Sequence, residues 1–381
     1  MDVIETYIME LMEKSTPDRP VWNIEKILKG EKAGWNYIDG CMIKAILEMY
    51  AITGEWKYLE FADAFIDHRV RKDGTIDGYD VEELNIDNVN AGKTLFELYD
   101  LTGKEKYRKA IDLVYSQIGK MPRTKEGNFW HKNIYPDQVW LDGLYMCQPF
   151  YMEYETRFNG RKNCGDIYRQ FANVVKIMRD TETGLYYHAF DSSREMFWCD
   201  KVTGLSQNFW LRALGWYSMA LLDTLDKADQ AEEEALREME KTFRDLIDSM
   251  LKYQADSGMW YQVVNLGGMD RNYPETSGSA IFSYAILKGA RLGYLPGSYV
   301  QYGKKAFQGI CDAYLHLEEG NMSLGGICLV AGLGGKDRRS GTFDYYMSEP
   351  VVKDDAKGVG PFLLAYTEMK RTGWVPRFFS A

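Results

Sequence analysis

What the chain lacks narrows it first. Its 381 residues hold six cysteines and four histidines. Cys41, Cys147, Cys164, Cys199, Cys311 and Cys328 are scattered without a CxxC pair. They outline no zinc framework and suit free thiols in a reducing compartment. No HExxH spacing supports a metal site, so neither metal nor cofactor is expected. The formal charge of −10 comes with no long basic run, which argues against nucleic acid as partner. No stretch approaches the roughly 18 apolar residues of a membrane-spanning helix. The opening MDVIETYIMELMEKS carries acids and no apolar core of signal-peptide length, so the expected location is the cytoplasm. Length alone allows two or three domains, whereas the repeat described next favours one, spanning 1–381, as a monomer or small homo-oligomer.

Aromatic residues are abundant instead, at 14%, with ten Trp and 27 Tyr. Rings in that number serve a thick core or stack on the CH-rich faces of sugars. Strand-like alternation is scarce and helical spacing dominates. CMIKAILEMYAITG, GKTLFELYDLTG and GLYMCQPFYMEYETRFNG each read as an apolar helix ending at glycine. The first two are followed by amphipathic stretches, EWKYLEFADAFIDHRV and KEKYRKAIDLVYSQIGKM, suited to an outer layer. NFWLRALGWYSMALLDTL, TSGSAIFSYAILKGARLG and KGVGPFLLAYTEMKR continue the inner series to six. Polar turns carry Gly74, Gly127, Gly184, Gly258 and Gly320 at steps of 53, 57, 74 and 62 residues, a repeat of stacked helical units. The expected fold is all-α: a six-hairpin (α/α) barrel with long loops gathered at one mouth. The last connection, Gly-rich over 325–344, is long enough to be functional.

Those connections deliver chemistry to the inner helix starts. GWNYIDG brings Trp35 and Asp39, and ELNIDNVNAG brings Asp87 and Asn88. NFWHKNIYPDQVWLDG brings His131, Lys132, Trp140 and Asp142. GLYYHAF adds His188, and QNFWLRALGW adds Trp210, Arg212 and Trp216. Two acids, several cations or imidazoles and many indoles suit an anionic sugar, since Arg grips a carboxylate in bidentate fashion. Each has a plainer job when taken singly. Asp39 reads as a helix N-cap, Trp35 and Trp216 as core, His131 and His188 as structural histidines, and Lys132 as surface. The combination carries the weight. Two readings compete with a sugar hydrolase: an epimerase or isomerase using the two histidines, and a non-catalytic helical-repeat binding protein.

WLDGLYM with its preceding HK, the IDN before an inner helix, and FWLRALGW resemble the unsaturated rhamnogalacturonyl hydrolases, glycoside hydrolase family 105. The unsaturated glucuronyl hydrolases of family 88 are similar and share the barrel. The likeness runs from GWNYIDG to KGVGPF, and the HK dipeptide favours the rhamnogalacturonan branch over other polysaccharide fragments. It implies an unsaturated oligosaccharide substrate whose terminal uronate carries a C4=C5 double bond. Asp142 would protonate C4 and help water add at C5, and Asp87 would bind the sugar and keep Asp142 protonated. Arg212, His188 and His131 would handle the carboxylate or nearby hydroxyls. Lys132 would reach the next sugar, and Trp140, Trp210 and Trp216 would wall the subsite. A helix N-terminus stabilises an anion by about 0.3–1 kcal/mol. A neighbouring carboxylate and an apolar wall push the other way, by several pKa units at most.

Overall fold

The protein, seen in a computed structural model, is described over residues 3–229, 233–318 and 321–373. Twelve long helices set its architecture. In chain order they are α1 (Val3–Glu13), α2 (Tyr37–Thr53), α3 (Trp56–Asp67), α4 (Lys93–Thr102), α5 (Glu105–Ile118) and α6 (Leu141–Phe158). There follow α7 (Cys164–Met178), α8 (Leu211–Lys227), α9 (Glu233–Leu251), α10 (Thr276–Arg291), α11 (Val300–Tyr314) and α12 (Ala356–Arg371). The even-numbered helices form a closed ring, α12 returning to α2, with the 3₁₀ turn Ile86–Gly92 ahead of α4 packing on α6. This is the expected α/α barrel.

Sequence explains which helix goes where. In α8 and α10 nearly every residue is buried, as a helix apolar all round must be. In α5 the buried set is Tyr107, Ala110, Ile111, Val114, Gln117 and Ile118, one face at helical spacing. Both α2 and α4 end at glycines of positive φ, Gly54 and Gly103. The start of α2 differs from expectation: Asn36, not Asp39, is the cap. The Asn36 side chain accepts from the Asp39 N–H, and Asp39 is buried, accepting from Asn36 Nδ2 and Trp22 Nε1. Burial pushes its carboxyl up to about 6. Pro149 lies inside α6 and removes the N–H that Tyr145 C=O would accept. The Lys93 ammonium fills that gap from α4 at 3.0 Å.

Among the described residues no outer helix follows α12, and α1 takes the place. Lys370 of α12 donates to Glu5 at 2.8 Å, and Tyr7 donates to Asp354 just before α12. The two ends of the described chain thus meet in the sixth hairpin. Among the described residues six short strands lie in the connections that follow outer helices. β1 (Gln138–Trp140) pairs antiparallel with β2 (Ala189–Asp191), Trp140 opposite Ala189. β3 (Leu315–Glu318) pairs with β4 (Asn321–Leu324), and β5 (Ile327–Cys328) with β6 (Val351–Val352).

A second repeat, carried by the main chain, joins these connections. The first N–H of each inner segment donates to a carbonyl in the next connection around the ring. Leu141 donates to His188 at 3.1 Å, Leu211 to Gln262 at 3.0 Å and Thr276 to Gly326 at 2.8 Å. Ile86, opening the 3₁₀ turn Ile86–Gly92 ahead of α4, donates to His131 at 3.2 Å. Ala356 donates to Trp22 at 2.9 Å and so closes the circle on the first repeat. Near the start of α2 a side chain does the job: Trp35 Nε1 donates to Asn88 C=O at 2.8 Å. Among the described residues no helix is long and apolar enough to cross a membrane.

Three of the recurrent glycines, Gly74, Gly184 and Gly258, seat their connections on the following outer helix, against Lys109, Ser249 and Lys305, whereas Gly127 has open space around it. Gly258 has φ +89, and a Cβ there would strike the Lys305 carbonyl of α11. Gly320, the fifth of the series, lies outside the described residues. Gly54, at φ +68, has open space around it. Gly258→Ala is therefore expected to destabilise by roughly 2 kcal/mol or more, and Gly54→Ala by about 1 kcal/mol, its backbone part alone. Urea unfolding of the two variants checks the ranking.

Candidate active site

Asp142 is the second residue of α6, and its carboxylate caps nothing: α6 has no side-chain cap. Its Oδ2 is buried without a hydrogen-bond partner and lies 3.4 Å from His188 Nε2, which is equally unpartnered. The other nitrogen of that ring, Nδ1, is hydrogen-bonded to Tyr346 Oη at 2.7 Å. Burial, first, and the Asp142 charge hold the Tyr346 phenol well above its ordinary value, so it keeps its proton. Trp140 closes one side. His131 stacks on its indole at 4.6 Å and 7°, Tyr135 at 5.1 Å and 14°, and His188 meets it edge-on at 5.5 Å.

Asp87 sits in the 3₁₀ turn before α4, its N–H held by Asn85. Its carboxylate takes Lys132 Nζ at 2.7 Å on Oδ2, and His131 Nε2 is 3.5 Å from Oδ1. Burial pushes the Asp87 carboxyl up, but the Lys132 ammonium and then His131 outweigh it and hold it below the usual range. Lys132 is raised in turn by Asp87 against its own burial. Burial brings His131 down to about 4, despite the Asp87 charge. At neutral pH the site therefore holds an anionic Asp87, a cationic Lys132 and a neutral His131. The far side of His131 faces α6, where a side chain on Gly143 would press on its Nδ1. One imidazole thus lies between Asp87 and the start of Asp142's helix.

Several expected ligands are placed otherwise. Arg212 is fully buried, its Nε donating to Ser277 Oγ at 2.8 Å and its Nη2 to the Cys328 carbonyl. The planar fork expected for a substrate carboxylate is committed to holding β5 and α10. Trp216 is core, stacked on Tyr145 at 5.0 Å. Trp35 is buried and anchors the Asp87 turn through Asn88. Lys132, expected to reach a second sugar, is paired with Asp87. Trp210 lies behind His188 at 4.7 Å and donates its N–H to Gln262.

Three residues escaped the sequence reading. Tyr346 completes the His188 contact, and Tyr135 stacks on Trp140. Arg339 comes from the Gly-rich connection and donates to Tyr135 Oη at 3.0 Å. Trp140, Ala189, Trp198, Cys199 and Leu333 form a small apolar cluster of their own above the barrel core. No spacing rule links residue 346 to 188 or 339 to 135, because three separate connections meet there.

Comparison with known proteins places the chain in a family. Residues 6–373 match the family described as Glycosyl Hydrolase Family 88. A solved family 105 glycoside hydrolase from C. acetobutylicum ATCC 824 is 42% identical with a TM-score of 0.89, covering 97% of this chain and 98% of its own. The unsaturated rhamnogalacturonyl hydrolase YesR of Bacillus subtilis (strain 168) is 25% identical over 285 residues, 73% of this chain and 76% of its own. The solved unsaturated glucuronyl hydrolase of Bacillus sp. GL1, responsible for glycosaminoglycan degradation, shares the fold at 14% identity and a TM-score of 0.65. It covers 89% of this chain and 87% of its own.

The buried His131 makes stability depend on pH. Its folded value of about 4 lies below the ordinary 6.5, so between these values the unfolded chain takes up a proton that the folded one refuses. Its contribution is full above pH 6.5 and is lost as pH falls toward 4, by about 2.5 kcal/mol at pH 4.5. Urea unfolding at pH 7.5 and 4.5 should show that extra loss in the wild type and not in His131→Gln.

Proposed function

The chain belongs to the family 88 and 105 group of unsaturated uronyl glycoside hydrolases, and on that footing we propose that it removes the 4,5-unsaturated uronic acid from the non-reducing end of lyase-generated rhamnogalacturonan oligosaccharides. The observation that carries this reading is Asp142, a carboxyl that caps nothing, with its buried oxygen facing a histidine. Likeness to YesR and the His131-Lys132 dipeptide support the rhamnogalacturonan side. Six free, buried thiols support a reducing compartment, and the reading places the enzyme in the cytoplasm as a single catalytic domain.

The bond to be broken defines the task. In the unsaturated uronate, C4=C5 is an enol ether, because C5 carries the ring oxygen. Protonation at C4 leaves positive charge shared between C5 and that oxygen. Water then adds at C5 and gives up a proton. The hemiketal opens, and C1, now a hemiacetal, releases the remaining sugar and leaves a 5-keto-4-deoxyuronate. The enzyme needs one group that gives a proton to carbon and takes one from water, and Asp142 fills both parts. The His188 ring can serve each state through its two tautomers. With its N–H toward Tyr346, Nε2 accepts from a protonated Asp142. With Tyr346 donating to Nδ1, the Nε2–H faces the carboxylate. Nothing in this cycle uses two carboxylates flanking a glycosidic bond, as ordinary glycoside hydrolysis does.

Asp142→Asn preserves shape and the start of α6. Turnover should fall at least by the roughly 10²–10⁴-fold that acid–base catalysis supplies, with little change in melting temperature. Loss of near-ultraviolet absorbance of the conjugated uronate follows the reaction. In heavy water the product should carry one deuterium at C4 that came from solvent. An active Asn variant, or a product without deuterium there, would overturn the assignment. Turnover of unsaturated glucuronyl fragments in preference to rhamnogalacturonan ones would move the substrate but keep the chemistry.

A further inference from the structure

Resting on the function proposed above, the Asp87–Lys132 contact raises a problem that its geometry also answers. An acid that must hold a proton is helped by a bare anion nearby, not by an anion already matched to a cation. Here Asp87 is matched, with Lys132 Nζ 2.7 Å from its Oδ2. The substrate brings a carboxylate of its own, which needs a cation. Arg212 is buried, with its Nε on Ser277 and its Nη2 on the Cys328 carbonyl. Arg339 donates to Tyr135 and to Gly334 C=O. Lys132 keeps about a quarter of its side chain exposed, on a flexible stem whose three donors rotate.

We infer that Lys132 is a positioning residue shared between Asp87 and the substrate: in the free enzyme it neutralises Asp87, and an arriving uronate draws its ammonium away and leaves Asp87 a bare anion near Asp142. The substrate's own charge thereby readies the acid that attacks it. A sugar whose carboxylate is masked as a methyl ester can fill the site but lacks the charge to move Lys132.

The groups that bear on this switch are few and named. Asp142 faces His188 from β2's connection, His131 from the loop before β1, and Tyr346 from the short helix Phe343–Ser348. Asp87 faces Lys132 and His131. Lys132 faces Asp87, Tyr135 and Arg339. Burial keeps His131 neutral above pH 5, and Tyr346 stays protonated.

Difference infrared titration of the carboxyl groups tests the switch without turnover, taking as Asp142 the band that disappears in Asp142→Asn. In Lys132→Met the midpoint of that band should rise by about one pH unit or more relative to the wild type. Lys132→Arg, which keeps the charge, should stay near the wild-type value. Adding galacturonate as a saturated probe should raise the wild-type midpoint and leave that of Lys132→Met where it is. A midpoint unmoved in a folded Lys132→Met, or raised equally by galacturonate in both proteins, overturns the inference. These readouts do not depend on hydrolysis. Failure of the proposed function would instead appear as absent turnover of every unsaturated uronide by the wild type, whatever the titration shows.

Discussion

The bond from the first N–H of an inner helix to a carbonyl of the next connection is what the mouth of this barrel depends on. A helix leaves its first N–H groups without intrahelical partners, and side chains of Ser, Thr, Asp or Asn commonly fill them. Here the main chain of the neighbouring repeat does it at Ile86, Leu141, Leu211, Thr276 and Ala356. Each such bond contributes only about 1 kcal/mol net. Its larger effect is geometric, because it fixes each connection relative to the helix it overlies. Every functional side chain described above rides on one of those connections or on the first turns of an inner helix.

This arrangement frees polar side chains for chemistry. Leu141 N–H is satisfied by the His188 carbonyl, so the Asp142 carboxylate is spared capping duty, and the same bond brings the His188 ring to Asp142. Two buried polar atoms then lie 3.4 Å apart with no other partner. An unsatisfied buried group costs about 1–3 kcal/mol. A chain selected for stability alone would not keep such a pair, and folds do tolerate losses of this size at working sites. The stack of His131 and Tyr135 on Trp140, with Arg339 on Tyr135, supplies rigidity around it. The Asp87–Lys132 pair supplies charge that the substrate itself can redistribute.

The barrel was legible because its information is local. Apolar helices alternating with amphipathic ones, glycines at helix ends and a repeated polar turn all follow from periods of 3.6 residues and from positive φ. The acids and histidines were legible because they stand in or just before inner helix starts, where a barrel gathers them. Illegible was whatever depends on which side chain answers which. Asp39 reads as the cap for α2, and only in the fold does Asn36 prove to accept the N–H of Asp39 itself. Arg212 reads as a free fork until the carbonyl of Cys328, 116 positions later, takes it. Lys132 reads as surface until the connection it belongs to folds back along Asn85 and sets its ammonium on Asp87.

The place of α1 shows the same limit from the other end. Its apolar positions suit an outer helix, yet in sequence it precedes every inner one, and among the described residues no outer helix follows the sixth inner one. Only ring closure pairs the two. Once α12 packs on α2, the groove outside it must be covered, and α1 is the segment within reach, tied down by Glu5 to Lys370 and by Tyr7 to Asp354. Trp22, in the connection that follows α1, then offers its carbonyl to Ala356 and closes the last gap at the mouth. The same tether holds Trp22's indole against Asp39, and so orders the start of α2. Trp35, just ahead of α2, grips Asn88 beside Asp87. The first repeat therefore reaches the site from both directions of the ring: through α12 to β6 and the loop that carries Tyr346, and through Trp35 to Asp87. The N-terminal helix touches no substrate, yet it completes the circle on which both acids are held.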